Sequence, residues 1–207
     1  MKPSITLRYI VDIGFWPRRT AEQLLADPGH LQHGVTAWLW IGLIYGLTAF
    51  VGGLNGVGAS TEPSLRLPSA RYYLWMGPAT PLLYLLNFLV IAGSIHLLAK
   101  LAKGRGSYEQ TFAVTALTFV LPVVLTMWVF EMPLLVFFPH LQPKVPGGLW
   151  ILPAWFNNGR QWFGLIWIFF ILGIATSRVQ RLSIWKALPI TLAAFIFGWA
   201  VELTYLR

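Results

Sequence analysis

The chain has 207 residues, of which 57% are hydrophobic and only 11% charged, against ~25% charged in soluble domains. Fifteen Lys+Arg against seven Asp+Glu give a formal charge of +8, and there is no cysteine. A soluble globule this apolar could not cover its surface with polar groups, and 15% aromatics argue against disorder. Disulfide frameworks and thiolate metal or redox sites are excluded.

What remains is an all-α integral membrane protein. The apolar runs are continuous rather than alternating and exceed the ~10 residues of a barrel strand, and a helix satisfies its own backbone in lipid. A span needs ~20 apolar residues to cross a ~30 Å hydrocarbon core. Five runs qualify, which predicts a five-span transmembrane helical bundle and no second soluble domain.

In chain order, residues 1–34 read as an amphipathic cytoplasmic arm. Ile5, Tyr9, Ile13, Phe15 and Trp16 are interleaved with basic residues, Pro17 breaks the run, and a second short helix is expected over 18–25. The arm either lies on the membrane surface or packs under the bundle. It is not a cleavable signal, since it lacks an early apolar core, and Arg18-Arg19 lacks the flanks of a twin-arginine export signal.

The first span is expected over 35–54, opening a membrane domain over 35–207. Its Gly42, Gly46, Ala49 and Gly53 share one face, which lets another backbone approach closely and offers a route to oligomers. Tyr72, Tyr73 and Trp75, in the loop that follows, suit the headgroup level. The second span is expected over 80–102. The third, over 111–130 with an interfacial extension to 138, carries Thr111, Thr115, Thr118 and Thr126 as a polar stripe around Pro122. That stripe reads either as glue between helices or as one wall of a polar pathway that Asn87 would extend. The proline- and aromatic-rich segment 139–160 is expected to form a re-entrant or interfacial cap. The fourth and fifth spans follow over 161–177 and 187–206, the fifth repeating the small-residue pattern with Ala194 and Gly198.

Cations set the orientation. Lys2, Arg8, Arg18, Arg19, Lys100, Lys103, Arg105, Arg178, Arg181 and Lys186 fall on one side, against Arg66, Arg71, Lys144, Arg160 and Arg207 on the other. The N-terminus is therefore expected in the cytoplasm of a bacterial inner membrane and the C-terminus outside.

Ionisable residues within spans are functional suspects. Here they are His96 near the cytoplasmic end, and Glu131 and Glu202 towards the outer side, with Arg160 or Arg71 as a shared counter-ion. No HExxH, GxSxG or Walker A pattern occurs, so no catalytic residue is assigned. His30 and His33 have only Asp27 nearby, so no metal site is expected. The Gly104-Arg105-Gly106-Ser107 turn reads as a tight connection, or as a cradle of backbone donors for phosphate.

Residues 91–122, IAGSIHLLAKLAKGRGSYEQTFAVTALTFVLP, resemble the core of the Yip family (Ypt/Rab-interacting protein domain), in its bacterial form. The shared features are His96 late in a span, the basic turn with Gly104, Gly106 and Ser107, Gln110 and Phe112 opening the next span, and Pro122 within it. The resemblance implies five spans, a cytosolic N-terminus and a membrane-organising or adaptor role, since eukaryotic relatives bind prenylated Rab GTPases. The Asp-Leu-Tyr-Gly-Pro segment of those relatives does not occur here. The expectation is a non-enzymatic Yip-type protein that needs no cofactor. Its partners would be membrane lipids and a second copy or another membrane protein, with no nucleic acid. The rival is a small transporter or channel using His96, the threonines, Glu131 and Glu202.

Overall fold

The computed structural model describes residues 3–56, 71–137 and 153–205. All the elements are helical: α1 (Pro3–Phe15), α2 (Pro17–Ala26), α3 (His30–Leu54), α4 (Tyr72–Leu101), α5 (Tyr108–Val123), a π-helical turn (Val124–Trp128), α6 (Val129–Phe137), α7 (Ala154–Val179) and α8 (Ile184–Tyr205). Among the described residues five stretches are long and apolar enough to cross a membrane: His30–Leu54, Tyr72–Leu101, Tyr108–Pro133, Asn158–Val179 and Ile184–Val201. The protein is thus the five-span helical membrane bundle expected. The near end of the bundle, where α3, α5 and α8 begin and α4 and α7 finish, carries the basic turns.

The middle of the bundle is α5. Every residue from Thr111 to Val120 is buried, as expected of a helix apolar all round. Around it stand α1, α3, α4 and α7, while α8 packs on α4 and α7. Leu43, Leu47, Leu82, Leu97, Ile166, Phe170, Ile196 and Phe197 point outward, where lipid would cover them.

The second span starts at Tyr72, eight residues before the expected boundary. Pro78 and Pro81 both lie inside α4. Their missing N–H groups leave Leu74 O and Gly77 O without the usual bond from four residues on, in a stretch that packs closely against α3. Trp38 Nε1 donates to Pro81 O (2.7 Å) and Thr80 Oγ1 to Met76 O (2.7 Å). The third span begins three residues early, at Tyr108, because Ser107 caps it. Ser107 Oγ accepts from Gln110 N and Gln110 Oε1 accepts from Ser107 N, a closed capping box.

The first span's glycine face is covered by the chain's own second span. A Cβ on Gly42 would meet Pro81 Cα at 2.8 Å, one on Gly46 would meet Gly77 O at 2.7 Å, and one on Gly53 would meet Leu74 N at 2.7 Å. Ala49 is half-buried on the same helix. The close approach foreseen for this face is therefore made within one chain, and the face is not open to a second copy. The arm is likewise packed into the bundle and not laid apart from it. Ile10, Ile13, Ala21 and Leu24 join the main hydrophobic core. The 139–160 cap falls mostly outside the described residues.

Candidate functional site

At the far end the helical geometry changes. Beyond Pro122 the chain widens into the π-helical turn, a form found mostly at functional or strained places. Arg160 of α7 reaches across to it. Its Nη1 donates to Thr126 O (2.8 Å) and Met127 O (3.4 Å), its Nη2 to Glu131 Oε1 (3.0 Å), and its Cζ lies 5.6 Å from the Phe130 ring centroid. The Arg160 side chain is 4% exposed and Glu131 23%. Gly164 makes the approach possible, since a Cβ there would collide with Thr126 Oγ1. Of the two counter-ions expected for Glu131, Arg160 is the one that meets it. On the other flank Trp128 Nε1 donates to Thr48 Oγ1 (2.9 Å).

The threonine stripe is spent on its own helix. Thr111 Oγ1 donates to Ser107 O, Thr115 to Thr111 O, Thr118 to Thr115 O and Thr126 to Pro122 O, all at 2.8–2.9 Å. Thr111 also takes a bond from Gln180 Nε2, at the end of α7, at 2.7 Å.

At the near end the glycine turn is a latch. Gly104 N donates to Ala99 O (2.7 Å), Arg105 N to Gln180 O (3.0 Å), Gly106 N to Gln180 Oε1 (3.1 Å) and Ser107 N to Gln110 Oε1 (3.0 Å). With these four donors used, the turn does not offer the phosphate cradle that its sequence allowed. Gln180, fully buried, ties the α4–α5 turn to the end of α7.

His96 sits beside this latch, edge-on to Tyr108 with ring centroids 5.9 Å apart. Its Nδ1 is buried with no hydrogen-bond partner among the described residues. Glu131 lies 23 residues beyond Tyr108, ~35 Å along the helix at ~1.5 Å per residue, so the two sequence suspects stand at opposite ends. Asn87, also buried and with Oδ1 unpartnered, faces Gly198: a Cβ there would stand 2.8 Å from that oxygen. Ala194 is buried in the main core. The Glu202 side chain lies outside the described residues.

A further cluster was missed in the sequence. Asp27 Oδ1 accepts from Gly29 N (2.7 Å), and Oδ2 accepts from Tyr9 OH (3.1 Å) and lies 3.2 Å from His33 Nε2. His33 Nδ1 in turn lies 2.7 Å from Thr6 Oγ1. The Gly29 N–H, first, then the Tyr9 hydroxyl and His33 hold the Asp27 carboxyl below its usual range. The line resembles a hydroxyl–imidazole–carboxylate relay, but Thr6 is fully buried and no substrate can reach it. It clamps α1 to the start of α3. The signal was present as Asp27-Pro28-Gly29, a turn whose aspartate binds its own backbone.

Hollows open on the outside of the bundle. One is bounded by Trp16, Pro17, Arg18, Arg19, Glu22 and Ile174, another by residues of α3 and α4 around Gly46 and Gly77. Neither touches His96 or Glu131. Among the described residues no group of three His, Cys, Asp or Glu side chains gathers as for a metal.

These features define a multi-pass α-helical membrane protein whose polar groups tie helix ends together. The Yip1 domain model matches residues 11–201, and the chain belongs to the Yip1 domain family. No curated protein and no solved structure matches it significantly. The matched residues include His96, the Gly104–Ser107 latch and Pro122.

Proposed function

We propose that the protein is a non-catalytic, membrane-organising adaptor of the Yip type, seated in a bacterial inner membrane with its N-terminus cytosolic and its C-terminus outside. The observation that carries this reading is where the polar groups go. The threonines bond back to α5, Arg160 and Glu131 answer each other, and the turn donors end on Ala99, Gln180 and Gln110. A bundle built this way offers surfaces at its ends. The basic near end, with Lys100, Lys103, Arg105, Arg181 and Lys186 exposed, is the face offered to cytosolic partners.

The chain lacks cysteine, so Lys103→Cys and Lys186→Cys can each carry a photo-crosslinker in cells. Capture of one defined protein from both positions, and not from an outward Leu82→Cys, supports the adaptor role. Reporter fusions at both termini test the orientation, and both on one side would overturn it. The transport rival has one observation in its favour: Asn87 Oδ1, His96 Nδ1 and Thr191 Oγ1, on α4 and α8, are buried without partners among the described residues. Ion flux in proteoliposomes that is abolished by Asn87→Ala or Glu202→Gln would replace the adaptor reading.

A further inference from the structure

The N-terminal helices occupy an unexpected depth. Thr6, early in α1, meets His33 in the first turn of α3. Eight residues later, Gly14 O accepts from Trp167 Nε1 (3.0 Å), and a Cβ on Gly14 would stand 2.5 Å from Leu121 Cδ2. Leu121 lies 13 residues beyond the near end of α5, and Trp167 lies 12 residues before the near end of α7. At ~1.5 Å per residue these are ~20 Å and ~18 Å into the bundle. Helix α1 therefore runs inward alongside α5. The chain turns at Phe15-Trp16-Pro17, and α2 runs back along α7 until Asp27 rejoins Tyr9 and His33.

The outward chemistry fits this path. On α1 and at the turn Ile5, Leu7, Val11, Phe15 and Trp16 are 38–58% exposed, an apolar strip that water would not favour. Its charges are the i,i+4 pair Arg8–Asp12 (3.3 Å). The spans beside it are apolar on their outer faces at the same level, as at Val35 and Leu39.

Directly after the tip come Arg18 and Arg19. An arginine in hydrocarbon is costly unless an anion or water reaches it. The one carboxylate at hand is Glu22, which Arg18 (3.7 Å) shares with Arg178 (3.8 Å). Arg19 has no carboxylate within 4.0 Å among the described residues. Arg18 and Arg19 thus stand with one anion, Glu22, which Arg178 also approaches, at the rim of the hollow of about 500 Å³ between α2 and α7, whose walls are Trp16, Pro17 and Ile174. Positive rim, apolar wall and lipid depth together match a phospholipid, with its phosphate at the arginines and an acyl chain along Trp16.

We propose that α1 and α2 form a re-entrant hairpin in the leaflet on the N-terminal side, and that the Arg18–Arg19 rim binds the phosphate of an anionic phospholipid there. This rests on the bundle spanning a membrane and not on the adaptor role.

Two measurements test it on the full chain in nanodiscs of phosphatidylcholine with one-quarter phosphatidylglycerol. First, nitroxide labels on single cysteines at Phe15 and, for reference, Lys103 report depth through collision with oxygen and a nickel chelate. Label 15 should favour oxygen by about tenfold relative to label 103; equal nickel access at both would show that the hairpin lies in water and end the proposal. Second, native mass spectrometry counts retained phosphatidylglycerol. Arg18→Gln/Arg19→Gln should lower its retention about tenfold while Lys103→Gln/Arg105→Gln leaves it unchanged. Unchanged retention in the first variant, or equal loss in both, would mean diffuse surface charge and no site. Both variants remove exposed charges, and the thermal midpoint of each checks that the bundle is intact.

Discussion

Gln180 and Gly106 lie in direct contact across the near end of the bundle: the glycine N–H donates to the glutamine Oε1 at 3.1 Å, and a Cβ on Gly106 would stand 2.5 Å from Val179 O. The contact leaves no room for a side chain because the colliding atom is backbone. Gly106→Ala should therefore cost about 1–3 kcal/mol through overpacking. Gln180→Leu strands the buried Gly106 N–H and should cost about as much, ~1–3 kcal/mol. Since both act on one contact, the double variant should lose less than the sum of the two. Detergent-solubilised chains unfolded by heat and followed by tryptophan emission would give the three values, and full additivity would contradict the latch.

Arg160 and Glu131 should respond unequally to truncation. Glu131→Gln leaves the guanidinium its two carbonyl acceptors, Thr126 O and Met127 O, and the Phe130 ring. Arg160→Met removes the guanidinium from those carbonyls and leaves a part-buried carboxylate behind. Breaking a buried pair costs about 3–5 kcal/mol. We expect that range for Arg160→Met and a clearly smaller loss for Glu131→Gln. Arg160→Met/Glu131→Gln should recover part of the larger loss, because no carboxylate then remains without its cation. The same unfolding assay decides it; a larger loss for Glu131→Gln would reverse the assignment.

How far these arrangements could be read in advance depends on what kind of force makes them. The five spans were legible because lipid demands length and apolarity, and both are local in sequence. The start of α4 was not, because Pro78 and Pro81 lie inside a helix held along α3 by packing that is not local in sequence, Trp38 bonding Pro81 O from 43 residues away. The glycine face of α3 was visible as a periodicity, but a periodicity does not say whether the chain's own helix or another copy's covers it. Threonine spacing was legible too, yet the same spacing serves a stripe facing a neighbour and one bonded back to its own carbonyls. The Thr6–His33–Asp27–Tyr9 cluster joins residues up to 27 apart through a hairpin whose depth no local pattern encodes. The Arg160–Glu131 pair was within reach because charge in an apolar run is rare enough to limit the choice of partner.

Both α4 and α7 end on a basic residue in the left-handed conformation, Lys103 at φ 67° and Arg181 at φ 54°. Each closes the same pair of bonds: Gly104 N to Ala99 O with Lys103 N to Lys100 O, and Leu182 N to Ser177 O with Arg181 N to Arg178 O. This is the Schellman arrangement, whose left-handed position favours glycine. Lys103→Gly and Arg181→Gly should each raise stability by about 0.5–1 kcal/mol, the relief of strain exceeding the added entropy of the unfolded chain. A rise in thermal midpoint on both substitutions checks this. A fall would mean that the cations contribute more through the helix C-termini than the backbone strain costs.

Asp27 makes stability depend on pH in one direction. Its carboxyl is held below the ordinary value of 3.8, first by the Gly29 N–H and then by Tyr9 and His33. A group with a lowered folded-state pKa adds stability that is present above its unfolded value and lost as pH falls through the folded one. The contribution is therefore complete near neutrality and fades below about pH 4. Asp27→Asn keeps an oxygen for Gly29 but loses the charge and weakens the bonds to Tyr9 and His33, at ~1–2 kcal/mol. The variant should melt below the parent at pH 7, and the gap should narrow as pH drops from 4 towards 2.5, where the parent loses the same charge. Because Asp27 fastens the hairpin, the narrowing should coincide with faster hydrogen exchange in α1, read by mass spectrometry, while α5 stays protected. A gap that held constant down to pH 2.5 would mean that the carboxylate charge does no work in the clamp.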